Sequence, residues 1–166
     1  MENVILIGMP GAGKSTIGVV LAKVLGYQFL DSDLLIQRQE NRRLSQIIDE
    51  EGIEGFKKVE DRVNASICTE QTVIATGGSV VYCENAMEHL KSIGTVVYLE
   101  LPYGELSKRL GNLRGRGVIL RDGQSLQELY QERVPLYEKY ADLTVNCENQ
   151  SLEDSLQAVL DSLQRA

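Results

Sequence analysis

Hydrophobic positions along this chain fall into two alternating kinds of segment. Short aliphatic runs, rich in β-branched residues, recur at 4–7, 28–30, 72–75, 95–99 and 143–145, and runs of this length read as buried strands. Between them the apolar residues take a helical spacing. Ile17, Val20, Leu21, Val24 and Leu25 fall on one face of a helix closed by Gly26, and Leu152, Leu156, Val159, Leu160 and Leu163 repeat the pattern near the C-terminus. Such alternation predicts an α/β fold: a five-stranded parallel sheet in a three-layer α/β/α arrangement, with ligands at the carboxyl ends of the strands. Two stretches interrupt it. The segment at about 34–66 is charged and helical in period, with Gly52 and Gly55 marking turns. The segment at about 111–123 sets Gly111, Gly115, Gly117 and Gly123 among arginines, which suits either a lid that closes over a ligand or a solvated excursion. At 166 residues the chain reads as one domain, 1–166, carrying both excursions.

The first strand runs straight into Gly8-Met9-Pro10-Gly11-Ala12-Gly13-Lys14-Ser15-Thr16, a full match to the phosphate-binding pattern GxxxxGK[ST] in its strand–turn–helix setting. Glycines let the backbone N–H groups of the turn face inward on an anion, and a helix starting near Lys14 adds the positive end of its dipole. A nucleoside triphosphate is the natural guest. Lys14 would reach its β- and γ-phosphates and the Ser15 hydroxyl would ligate Mg²⁺.

Other candidates stand at strand ends. Asp31-Ser32-Asp33 closes the second strand; two carboxylates two residues apart in an extended chain share a face, and could serve a metal's water shell and an acceptor hydroxyl. The same triplet suits a strand terminator and helix N-cap. After the third strand, Thr76-Gly77-Gly78-Ser79 offers unshielded backbone N–H groups, or only a tight turn. Lys57 precedes Glu60 and Asp61 by three and four residues, so it could pair with them on a helix or be held ready for an anionic substrate. Arg133 is either a surface arginine or a fork for a carboxylate.

Composition narrows the class. With 43% hydrophobic and 25% charged residues the chain reads as globular and soluble. Its net charge of −7 argues against a nucleic-acid partner, so a bound polyanion needs a local basic pocket drawn from Lys14, Lys57, Arg109, Arg114, Arg116 and Arg133. No apolar run reaches membrane-spanning length, and the first strand begins almost at residue 1, so a cytoplasmic location is expected. Cys68, Cys83 and Cys147 read as reduced thiols, and His89 as a surface residue of a polar helix.

Together these motifs resemble those of the shikimate kinase family, over nearly the full chain and in the family's order. The resemblance rests on the GMPGAGKST loop, the DSD triplet, the GFKKVE helix, the ATGG turn, the arginine-rich lid and the ERVPLYEKYAD segment. It implies a nucleoside-monophosphate-kinase-like core with a helical substrate-binding insert and a lid. It further implies ATP-dependent phosphorylation of the 3-hydroxyl of shikimate, as a step toward chorismate and the aromatic amino acids. Gly11, Ala12, Gly13, Lys14, Ser15, Thr16, Arg109, Arg116 and Gln150 would then hold ATP, and Ser15 and Asp31 would hold Mg²⁺. Asp33, Lys57, Gly77, Gly78 and Arg133 would hold shikimate, with Lys14, Asp33 and Arg116 acting in catalysis. Three residues depart from the family pattern. Lys57 stands where the family has arginine, Ser79 where it has a third glycine, and Gly117 where it has proline after the lid arginine. These leave open a kinase for another hydroxylated acceptor such as a sugar acid, or an ATP-binding regulator without transfer chemistry. A monomer is expected, because no apolar stripe asks for a partner.

Overall fold

The computed structural model describes residues 2–110 and 123–166. Strands β1 (Asn3–Ile7), β2 (Gln28–Asp31), β3 (Thr72–Ala75), β4 (Gly94–Glu100) and β5 (Leu143–Asn146) form one parallel sheet in the order β2-β3-β1-β4-β5. All five residues of β1 are buried: Val4–Ile7 form the apolar run of a central strand covered on both faces, and the Asn3 amide is satisfied by donating to the carbonyls of Thr69 at 2.8 Å and Ile93 at 3.0 Å. The register pairs Leu6 of β1 and Asp31 of β2 with the same residue, Ala75 of β3. The carboxyl ends of these three strands therefore finish level. Loop 8–13, Asp31 and the turn after Ala75 are delivered side by side.

The helices among the described residues are α1 (Lys14–Leu25), α2 (Ser32–Glu40), α3 (Leu44–Ala65), α4 (Glu84–Ile93), α5 (Tyr103–Arg109), α6 (Leu126–Tyr140) and α7 (Leu152–Arg165). Helices α1 and α7 pack on each other and on β3 and β5, while α4 and α6 lie against β4, which gives the three-layer arrangement expected of the alternation. None of the described helices is long and apolar enough to cross a membrane.

The buried face of α1 differs from the expected one. Val24 is 56% exposed, and Gly18 and Ala22 are buried beside Ile17 and Leu21. A Cβ on Gly18 would stand 2.8 Å from the Phe29 ring, so the helix settles on its small residues and the stripe rotates away from Val24. Leu152, expected on the buried face of α7, is likewise 43% exposed.

The charged stretch folds as α2 and α3 around a small core of its own, Ile36, Ile47, Phe56, Val59 and Val63. Gly52, at φ 75°, breaks α3 into two halves, whereas Gly55 is helical and marks no turn. Arg42 fastens the first half by bonding Glu50 and Glu51, each at 2.6 Å. Helix α6 carries no sequence forecast because Pro135 lies inside it. The carbonyl deprived of a helical partner belongs to Gln131, an exposed residue.

Candidate active site

Backbone geometry builds the anion loop. Gly8, Gly11 and Gly13 have φ of 149°, 83° and 95°, and Gly13 is the N-cap of α1, so the turn feeds directly into a helix N-terminus. Lys14, in the first turn, is buried and folds back over the loop, donating to the carbonyls of Gly8 at 2.7 Å and Met9 at 2.8 Å. Burial lowers its pKa to about 8, against the pull of Asp33 and Asp31. Gly11, Ala12, Gly13, Lys14, Ser15 and Thr16 all line one cleft of about 670 Å³, a volume suited to a small-molecule ligand.

The aspartates do not share a strand face. Asp31 ends β2 and caps α2, its Oδ1 accepting from the N–H groups of Asp33 at 2.9 Å and Leu34 at 3.1 Å. Capping and function coincide here: Oδ2 remains free to accept the Ser15 hydroxyl at 3.0 Å. Asp33 occupies the first helical turn and reaches the cleft from there. Its carboxyl is pushed up to about 6, chiefly by burial and then by Asp31, while Lys14 opposes the shift.

Close approach defines the turn after β3. A Cβ on Gly77 would sit 2.7 Å from Asp33 Oδ1 and 3.1 Å from Glu60 Oε2; one on Gly78 would meet Pro10 at 2.8 Å and Arg133 Nη1 at 2.9 Å. Only glycine lets these four side chains converge. The Tyr137 hydroxyl, donating to the Gly78 carbonyl at 2.7 Å, fixes the turn from α6. Ser79 does not obstruct the cleft. It is buried, and its hydroxyl donates to Glu60 Oε1 at 2.6 Å.

Glu60 is the site residue that motif reading passes over. It is fully buried, its Oε2 has no hydrogen-bond partner, and its pKa rises to about 7, chiefly through burial. Asp33 reinforces that rise, whereas the Ser79 bond and Arg133 oppose it. One signal was available: Phe56, Val59 and Val63 mark the buried face of α3, and position 60 lies among them.

Lys57 pairs with neither Glu60 nor Asp61. Glu60 turns inward to Ser79, and Asp61 caps the start of α4 through the Ala86 N–H at 2.8 Å and Asn85 at 3.1 Å. The Lys57 ammonium lies 3.7 Å from exposed Glu54 and 4.4 Å from the centroid of the Tyr82 ring. Arg133 is not a surface arginine: it is 2% exposed, with Nε unpartnered and its guanidinium carbon 5.4 Å from the same ring. Lys57, Tyr82 and Arg133 line a second, smaller cleft.

Arg109, Gln150, Cys147 and Leu152 also line the larger cleft. Arg109 donates to the Gly11 carbonyl at 3.3 Å, joining α5 to the anion loop. Gln150 accepts from the Ser155 hydroxyl at 3.4 Å. Half-exposed Leu152 offers an apolar surface there that sequence reading had assigned to the core. Arg114, Arg116 and Gly117 fall outside the described residues, as does most of the expected lid.

The family model, the curated relatives and the solved structures above 25% identity name shikimate kinase, while a gluconokinase and a sugar kinase, each 18% identical, share only the fold. Residues 10–164 match the shikimate kinase family model. The shikimate kinase of Vibrio parahaemolyticus is 40% identical over 153 residues, covering 90% of this chain and 89% of its own. That of Clostridium botulinum is 38% identical, with 99% and 98% covered. Among solved structures, shikimate kinase from Acinetobacter baumannii in complex with shikimate aligns with a TM-score of 0.89 at 33% identity, covering 99% of this chain and 94% of that one. With the family model matched over residues 10–164, relatives about 40% identical along most of the chain and a superposable fold, the chain belongs to the shikimate kinase family.

Proposed function

We propose that this protein transfers the γ-phosphoryl group of ATP to the 3-hydroxyl of shikimate, giving shikimate 3-phosphate and ADP. One observation carries the reading: a nucleotide loop, a raised-pKa carboxyl at Asp33 and a buried arginine at Arg133 converge around Gly77 and Gly78. An anion loop alone would suit any nucleotide. The buried arginine supplies what a carboxylate-bearing acceptor needs.

Loop N–H groups from Gly11 to Thr16 receive the phosphates, and Lys14 exchanges its two loop carbonyls for phosphate oxygens. Arg109, Gln150 and, by resemblance, Arg116 complete the nucleotide side. Ser15 Oγ and Asp31 Oδ2, 3.0 Å apart at the loop, are the hard oxygen donors that Mg²⁺ prefers. When bound there, Mg²⁺ neutralises charge across the β- and γ-phosphates. Arg133 and Lys57 hold the shikimate carboxylate, and Gly77 and Gly78 allow its ring close to the backbone. Asp33 accepts the 3-hydroxyl proton as that oxygen bonds to γ-phosphorus and the bond to the β-bridging oxygen breaks. Positioning and charge stabilisation supply the rest of the rate. Residues 34–66 serve as the acceptor-binding insert and 111–123 as the lid of a single 1–166 kinase domain. A cytoplasmic monomer belongs to the same proposal.

ADP release with Mg-ATP, measured across shikimate, quinate and gluconate, tests the reading. Saturable turnover selective for shikimate supports it. Preferred turnover of gluconate would install a sugar-acid kinase instead, and nucleotide binding without acceptor-stimulated turnover would install a regulator.

A further inference from the structure

Tyr82 belongs to no motif of the loop, the aspartates or the glycine turn, yet two cations meet over its ring. It closes the 3-10 turn Val80–Tyr82 that follows the glycine turn. The Lys57 ammonium stands 4.4 Å from its centroid and the Arg133 guanidinium carbon 5.4 Å, both within the range at which a ring quadrupole attracts a cation. The ring is anchored at its other end. Its hydroxyl donates to Glu132 Oε2 at 2.8 Å, and Gln124 donates to the same oxygen at 3.2 Å.

This anchoring matters because of what Lys57 lacks. A lysine brings a point charge on a flexible stem, without the rigid fork with which a guanidinium meets a planar carboxylate. Its acidic neighbour, Glu54, is 82% exposed and 3.7 Å away, a tether of little strength. The half-buried Tyr82 ring is the fixed surface within reach. A charge already parked there gives up less conformational freedom when the substrate arrives.

We propose that Tyr82 is a specificity-determining positioning residue: its ring holds Lys57 beside Arg133, so that the two cations grip a substrate carboxylate from two points. The proposal rests on shikimate being the acceptor. It says further that the choice of acid over neutral analogue depends on an aromatic ring that itself does no chemistry.

Tyr82→Leu removes the ring. The expected result is a rise of about tenfold in KM for shikimate, with kcat and KM for ATP within about twofold of wild type. Selectivity for shikimate over its methyl ester, as a ratio of kcat/KM, falls by a similar factor. Combined with Lys57→Met, the leucine change has little further effect on KM, since both act on one contact. An unmoved KM for shikimate overturns the proposal, as does a loss shared equally by kcat and both KM values. If the leucine variant does not fold, Tyr82→Phe and Tyr82→Trp carry the test. Both keep a ring, and both should hold KM for shikimate within about threefold. A tenfold rise in the phenylalanine variant would assign the effect to the hydroxyl and overturn the claim for the ring. Wild-type protein separates the two layers: no turnover of shikimate defeats the functional reading itself, while turnover with an indifferent Tyr82 defeats only this inference.

Discussion

The donor loop and the acceptor cleft lie side by side at the ends of β1, β2 and β3, but they are assembled by different means. Nine consecutive residues, 8–16, make the loop, and its buried lysine is satisfied by carbonyls of the same loop. The proposed acceptor side draws Asp33 from α2, Gly77 and Gly78 from the turn after β3, and Lys57 of α3 and Arg133 of α6 from the adjoining smaller cleft, with Glu60 of α3 buried against Gly77. It retains two buried polar atoms without hydrogen-bond partners, Glu60 Oε2 and Arg133 Nε. A local motif completes itself, whereas a cleft gathered from four elements holds polar groups in reserve for a ligand. Nucleotide binding should therefore be robust and acceptor binding easily tuned.

The largest expected effect comes from breaking the donor side. Lys14→Met should lower kcat/KM at least about 10³-fold, because the charge acts where phosphoryl negative charge develops. Steady-state rates check this, and a loss below tenfold would contradict it. Asp33→Asn, at the border between the halves, should lower kcat about 10²-fold while leaving KM for ATP nearly unchanged. A variant weakened mainly in ATP binding would move Asp33 to the donor side.

Glu60 predicts a pH effect on stability. Its carboxyl titrates near 7 in the fold against an ordinary 4.5, so between those values the folded protein holds a proton that the unfolded chain has released. Stability is fully present below about 4.5 and is lost as pH rises through about 7. Glu60→Gln, uncharged throughout, should remove up to about 3 kcal/mol of that loss. Urea melts at pH 5 and pH 8 measure it, and an identical slope in wild type and variant would refute it. The smallest effect sharpens the acceptor side alone: Lys57→Arg restores a fork and should lower KM for shikimate by about threefold, with KM for ATP unmoved. An unchanged or raised value would remove Lys57 from the cleft.

The same division governs what the sequence makes legible. The inner strands β1, β3 and β4 are buried on both faces and read as near-continuous apolar runs, and the half-exposed edge strands β2 and β5 still carry short apolar stretches, so all five are readable to within about two residues at their ends. The loop is legible because its chemistry is contiguous. Helix α6 is hidden by Pro135, which falls inside it opposite the exposed residue Gln131. The face of α1 is misjudged because large apolar residues are weighted over the small ones that let a helix approach Phe29. Asp31 and Asp33 are rightly placed at a strand end, but the capping bonds of Asp31 begin a helix between them. Glu60 and Tyr82 are the harder cases. Their roles arise from side chains distant in sequence, Ser79 for one and Lys57 for the other.

Titration of wild type and Arg133→Met with shikimate and, separately, with Mg-ADP tests most directly whether the acceptor side is an independent carboxylate grip. The account predicts saturable shikimate binding to wild type, weakened at least about 30-fold by the substitution, with Mg-ADP affinity held within about twofold. Equal shikimate affinity in both proteins, or a parallel loss of Mg-ADP, would contradict it.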